Sequence, residues 1–205
     1  LSLAMETEDL SHLGPALKAA DRMENLIEDL LTLAQQGNSV GNVETVDIAM
    51  AAKEAWANVD TAGATLELDG TATVDADPDR LRELLSNLFR NSVEHGSHHH
   101  SASPSSAARR PPDKTTPQEL TVTVGTIPAA GDGVTGFYVA DDGPGISAED
   151  REEVFERGYT TTKDGTGFGL AIVEDIATGH DWSVQVTEST PGGARFEFMT
   201  NRADH

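Results

Sequence analysis

Between a Gly14-Pro15 break and Gly37, the apolar residues Leu17, Ala20, Met23, Ile27, Leu30 and Ala34 recur at steps of three and four. That spacing predicts one long amphipathic helix, with Pro15 at a helix start where its missing N–H costs nothing. Asp21, Glu24, Glu28 and Asp29 occupy the other face. The near-heptad seam suits a helical partner, of which residues 1–7 would be the tail, although an ordinary surface helix has the same pattern. We therefore expect residues 1–37 to be a truncated helical hairpin. From Val43 the period shortens, and a second domain is expected over 43–201. Its alternation predicts strands over 44–46, 65–68 and 73–75 and a helix over 47–58. Asp77 and Pro78 supply an N-cap and a first helical residue for a helix running to Gly96. Residues 120–127 and 136–142 alternate like half-buried strands about a glycine-rich turn and predict a hairpin. A short acidic helix over 147–154, a helix over 170–177 and a closing hairpin of 182–187 with 194–199 complete the pattern. The fold class is α+β, a two-layer sandwich with a mixed sheet and helices on one face.

The stretch 97–118 breaks this regularity: it is rich in Ser, Pro, Ala and His, has no apolar period, and is expected to be a flexible loop. His98, His99 and His100 lie within it, solvated or at most a weak transition-metal site. No apolar run is long enough to span a membrane, so no membrane contact is expected of this segment and a cytoplasmic location is. With Leu1 first and no leader pattern, the sequence is expected to be part of a longer chain. The absence of cysteine removes disulfide, thiol and zinc-ribbon chemistry. Thirty-five acidic residues against fourteen basic ones give a net charge of −21, which excludes nonspecific nucleic-acid binding. Acidity spread this evenly resembles that of proteins from salt-loving microbes.

Three segments carry candidate chemistry. In the helix that begins at Pro78, Leu81, Leu84, Leu85, Leu88, Phe89 and Val93 make the apolar stripe, while Glu83, Asn87, Asn91 and Glu94 make a narrow polar one. Two asparagines in one column of a helix need solvent or a ligand for their amides. In DDGPGI, residues 141–146, Gly143 and Gly145 permit a sharp turn and the approach of a flat ligand, with Asp142 placed to accept from an exocyclic amine. Such a turn is also common as plain structure. In TTKDGTGFGLAIVEDI, Gly165, Gly167 and Gly169 lead into a helix, whose bare amides form a phosphate cradle with Lys163 nearby. The spacing fits neither a Walker loop nor a dinucleotide fingerprint, and protein serine/threonine kinase signatures are missing.

In order, NLFRNSVEHG, DDGPGI, VFERGYTT and GTGFGLAIV strongly resemble the four boxes of the histidine-kinase ATP-binding domain, whose fold is shared with gyrase, mismatch-repair and chaperone ATPases. Residues 19–34 look like the second helix of the dimerisation hairpin that precedes it. The resemblance implies ATP and magnesium as ligands. It implies that Asn91 holds magnesium, Asn87 lies against the phosphates, and Asp142 reads the adenine amine. Gly143 and Gly145 would shape the base pocket, and Phe155 and Tyr159 would belong to a lid. Gly165, Thr166, Gly167, Gly169 and Leu170 would wrap the triphosphate, with Lys163 and His95 as further contacts. Where many members have lysine three residues after the magnesium asparagine, this chain has Glu94 followed by His95. No H-E-L-R-x-P-L phosphoacceptor pattern is present, and His12, in SHLGPAL, lacks the acidic neighbour.

The implied activity is transfer of the γ-phosphoryl group to a histidine upstream of Leu1 and on to a response regulator, within a homodimeric parent. Asn87 stands where ATPases of the superfamily have a water-activating glutamate, which favours transfer over hydrolysis. An ATPase using Glu83 or Glu94, and a noncatalytic nucleotide-binding or dimerisation module, are the competing readings.

Overall fold

The computed structural model describes residues 41–70, 72–97, 119–129, 134–161, 165–190 and 192–200, together with Ala20, Met23, Leu26 and Ile27. Those four are helical and exposed, Met23 at 63% and Ile27 at 54%, so the predicted seam presents apolar side chains to solvent there. The rest of the expected hairpin, His12, residues 98–118 of the expected loop with His98 to His100, and Lys163 lie outside the described residues.

Strands β1 (Glu44–Asp47) and β3 (Thr73–Ala76) form a small antiparallel sheet, joined across by Thr45 Oγ1 donating to Asp75 at 2.9 Å. The main sheet contains β2 (Thr65–Asp69), β4 (Thr121–Pro128), β5 (Val134–Asp141), β6 (Ser183–Glu188) and β7 (Ala194–Met199). Its order is β2-β4-β5-β7-β6, with β2 parallel to β4 and the other neighbours antiparallel. The sheet is therefore mixed, as expected. Helices α1 (Ile48–Trp56), α2 (Pro78–Ser97) and α3 (Gly169–Gly179) contribute to the one core cluster shared with this sheet.

Side-chain periodicity explains the layering. Leu81, Leu84, Leu85, Leu88 and Phe89 of α2 are fully buried. Each such side chain contributes about 1.5–3 kcal/mol by leaving water. Opposite them, Val122 and Val124 of β4, Phe137 and Val139 of β5, and Phe196 and Phe198 of β7 point into the same core. Phe89 meets Trp56 of α1 edge-on at 5.1 Å, and Phe137 stacks on Phe198 at 4.7 Å. The predicted N-cap Asp77 forms, accepting from Asp79 N at 3.0 Å, and Asp47, expected inside the helix over 47–58, instead caps α1 by accepting from Met50 N at 3.0 Å.

One predicted element is replaced. Residues 147–154 form turns followed by a 3-10 turn at Glu153–Phe155 rather than an α-helix. Ser147 Oγ donates to Asp150 at 2.7 Å and closes a local loop, and only Val154 of this segment is buried, so no apolar face exists to hold a helix.

Candidate functional site

A cavity of about 340 Å³ opens between α2, the loop after β5, the segment through Tyr159 to Thr161, and the start of α3, with Ala194 and Phe196 of β7 on its wall. Ile146, Val154, Leu170 and Phe196 supply apolar walls suited to a flat ring.

One of the wall's carboxylates is buried. Asp141 ends β5, is 9% exposed, and accepts from Ser92 Oγ at 3.0 Å, Gly143 N at 3.0 Å and Ala194 N at 3.1 Å. Burial raises its pKa, against hydrogen bonds from Ala194, Gly143 and Ser92 that pull it down, while neighbouring Asp142 pushes it further up. The Ser189 turn braces it from behind: Ser189 Oγ donates to the Asp141 backbone oxygen at 2.6 Å and accepts from Gly193 N at 2.9 Å.

Asp142, the expected amine acceptor, is not in the cavity wall. Its carboxylate accepts from Thr121 N at 2.8 Å, which fixes it on β4. The reason is the two-residue period of β5: Phe137 and Val139 face the core, so Asp141 shares their side. Of the two acids, Asp141 is the one that lines the cavity.

A second group of side chains sits where α2 meets α3. Asn91 lines the cavity, and its Nδ2 is the one buried side-chain nitrogen or oxygen without a hydrogen-bond partner among the described residues. Asn87 is buried at 3% exposure; its Nδ2 donates to Glu83 O at 3.1 Å and its Oδ1 accepts from Arg90. A β-carbon on Gly169 would stand 3.5 Å from Asn87 Oδ1 and from both Asn91 amide atoms, so this glycine brings the first turn of α3 against the asparagine column. Helix α3 starts after Phe168 with no side-chain cap. Its first amides are thus left for another acceptor.

The segments on either side of residues 159–166 are pinned together. Gly158 N donates to Gly167 O at 2.8 Å, and Gly167 has φ +73°, with no room for a side chain against the Gly158 backbone. Tyr159 lies above, its pKa raised by burial and by hydrogen bonding to Asp150.

Of the expected residues, Asn91, His95, Gly145, Tyr159, Gly165, Thr166, Gly167, Gly169 and Leu170 line one cavity. Asn87, Gly143 and Phe155 stand behind it; Phe155 packs edge-on against Phe196 at 6.4 Å. Sequence reasoning missed Asp141, Ser92 and Arg90 and took residues 191–193 as a plain hairpin turn. Among the described residues no cluster of three acidic or imidazole groups could hold a metal by itself. None of the described helices is long and apolar enough to cross a membrane.

Residues 76–204 match the family model described as histidine kinase-, DNA gyrase B-, and HSP90-like ATPase. The sensor histidine kinase ZraS of Klebsiella oxytoca is 31% identical over 189 residues, which cover 88% of this chain and 36% of that protein. The chain thus spans well under two thirds of that curated relative's length. Among solved structures, the mycobacterial sensor histidine kinase MprB superposes with a TM-score of 0.59 at 20% identity, over 78% of this chain and 97% of that one. Full-length ShkA in complex with AMPPNP superposes with a TM-score of 0.63 at 24% identity, over 96% of this chain and 40% of that one. At these identities the superpositions speak for the fold.

Proposed function

The chain belongs to the histidine kinase-, DNA gyrase B-, and HSP90-like ATPase family, and from that premise we propose that it is the ATP-binding kinase core of a two-component sensor histidine kinase. The observation that carries this reading is the pairing, in one cavity, of a buried hydrogen-bond-accepting carboxylate with an unsatisfied asparagine amide beside an uncapped helix start. Asp141 accepts from the adenine amine, and the apolar walls take the two faces of the ring. The α3 amides and Gly165 to Gly169 receive the phosphates.

The Asn91 amide fits magnesium: a half-turn of the side chain exchanges nitrogen for oxygen, which places one neutral oxygen at the unsatisfied position. One protein ligand would be enough for an ion that keeps most of its waters, and magnesium held there would supply positive charge to the phosphates. The transferred γ-phosphoryl group leaves ADP as its P–O bond breaks, and a P–N bond forms to a histidine in the parent protein. A response-regulator aspartate then takes the group from that histidine. The exposed Met23 and Ile27 support a dimeric parent, joined through that helix on the cytoplasmic side. The evenly spread acidity supports adaptation to high salt.

An ATPase of the same fold is favoured by one observation, the presence of Glu94 in the cavity wall. Glu83, by contrast, is outside that wall and paired with Arg80 at 3.0 Å. Incubating the chain with Mg-ATP, with and without the upstream helix of its parent supplied in trans, separates the readings. Transfer to that helix with little free phosphate supports the kinase; steady phosphate release without it sinks the kinase reading.

A further inference from the structure

We propose that Arg90 is the residue that brings positive charge to the nucleotide phosphates, and that Asn87 is the positioning residue that holds it there; this rests on the ATP reading above. The cavity wall contains three carboxylates, Glu94, Asp141 and Asp150, and Arg90 is its only lysine or arginine among the described residues. A triphosphate entering such a wall meets like charge in a partly desolvated place, where a guanidinium is the strongest compensating group a protein can offer.

Arg90 is also built into its place. Asn87 is buried, and its Nδ2 is committed to the Glu83 carbonyl, so its Oδ1 is turned outward to accept from the Arg90 NH2 group. That same Oδ1 lies beside Gly169 at the first turn of α3, where phosphates are expected. A guanidinium has five N–H donors in a planar fork, so one nitrogen can rest on Asn87 while the fork addresses phosphate oxygens. Arg90 directly precedes Asn91, which puts it about 100° around the helix from the metal-binding amide, beside the ion rather than on it. Buried Asn87 thereby acquires a different task from phosphate contact: it holds the cation.

The test is calorimetric titration of the chain with ATP and with adenosine, each with magnesium chloride present, for wild type, Arg90→Gln, Arg90→Lys and Lys163→Gln. The ratio of the two affinities is the readout, because any loss of folded protein lowers both alike. We expect Arg90→Gln to reduce the ATP-to-adenosine ratio about ten-fold or more, as loss of a charge-assisted hydrogen bond implies. Arg90→Lys recovers part of it, and Lys163→Gln lowers it less than Arg90→Gln does. An unchanged ratio in Arg90→Gln, or a larger loss in Lys163→Gln, overturns the inference while leaving ATP binding intact. Wild type that binds neither ligand overturns the proposed function and this inference with it.

Discussion

Gly193 packs against Asp141 so closely that a β-carbon on Gly193 would overlap the Asp141 backbone oxygen and stand 2.5 Å from its Oδ1. The turn that closes the last hairpin is therefore the support of a cavity-lining carboxylate. Gly193→Ala should force the Ser189 turn away from β5 and cost about 1–3 kcal/mol of stability, as overpacking does. ATP affinity should fall in the same variant, because Asp141 moves with its brace. Thermal denaturation and ATP titration check both, and a variant unchanged in either would show that the contact relaxes without effect.

Asp141→Asn tests the base-reading role. The amide keeps Oδ1 for Gly143 N and Ala194 N, and its nitrogen can donate to Ser92 Oγ, so the fold should survive. ATP affinity should fall about ten-fold or more, the worth of a hydrogen bond to a charged group. Stability adds an independent readout. Since burial raises the Asp141 pKa in the folded state, its contribution is fully present below the unfolded carboxylate value and is lost as pH rises through the folded value. The melting temperature of Asp141→Asn should accordingly gain on wild type as pH is raised from the carboxylate range toward neutrality. A difference, variant minus wild type, that stays constant or falls as the pH is raised would contradict the buried charge.

Most of the architecture was legible because local rules and tertiary packing agree. The apolar stripe of α2 and the alternation in β4, β5 and β7 each mark the faces that meet in the core. What local pattern could not say was pairing. Residues 65–69 and 73–76 look like neighbours in sequence, yet β2 joins β4 and β3 joins β1, because the choice of partner is made by long-range packing. Which of the two acids faces the cavity was open to counting: the two-residue period from Phe137 and Val139 puts Asp141 on the inner face. Arg90 was hidden for a different reason. It falls between the two asparagines of the polar column, and its reach back to Asn87 is a matter of side-chain conformation that spacing does not encode.

Asn91→Ala should separate metal binding from folding. The substitution removes a buried amide nitrogen with no partner, an arrangement that costs about 1–3 kcal/mol, so stability should be unchanged or higher. Wild-type affinity for ATP should rise on adding magnesium, and that of Asn91→Ala should not. Parallel titrations with magnesium and with a chelator decide it. If the variant kept the full magnesium response, the ion would have to be held elsewhere.

His180 ties the two helices that wall the cavity. Its Nδ1 lies 2.8 Å from the Ile176 carbonyl, which can only accept, so Nδ1 carries the proton and Nε2 accepts from Asp77 N at 3.0 Å. The ring also stacks on Trp182 at 4.6 Å. The residue after α3 thus secures the N-cap of α2. In His180→Phe the stacking remains while both hydrogen bonds go, leaving the Asp77 amide without its partner. The expected cost is about 1–3 kcal/mol, the penalty of an unsatisfied amide, seen as a lower midpoint in thermal or denaturant unfolding. No cavity-lining group is lost, so ATP affinity measured well below the midpoint should suffer less than in Gly193→Ala. Wild-type stability in His180→Phe would mean that ring stacking alone joins the helices.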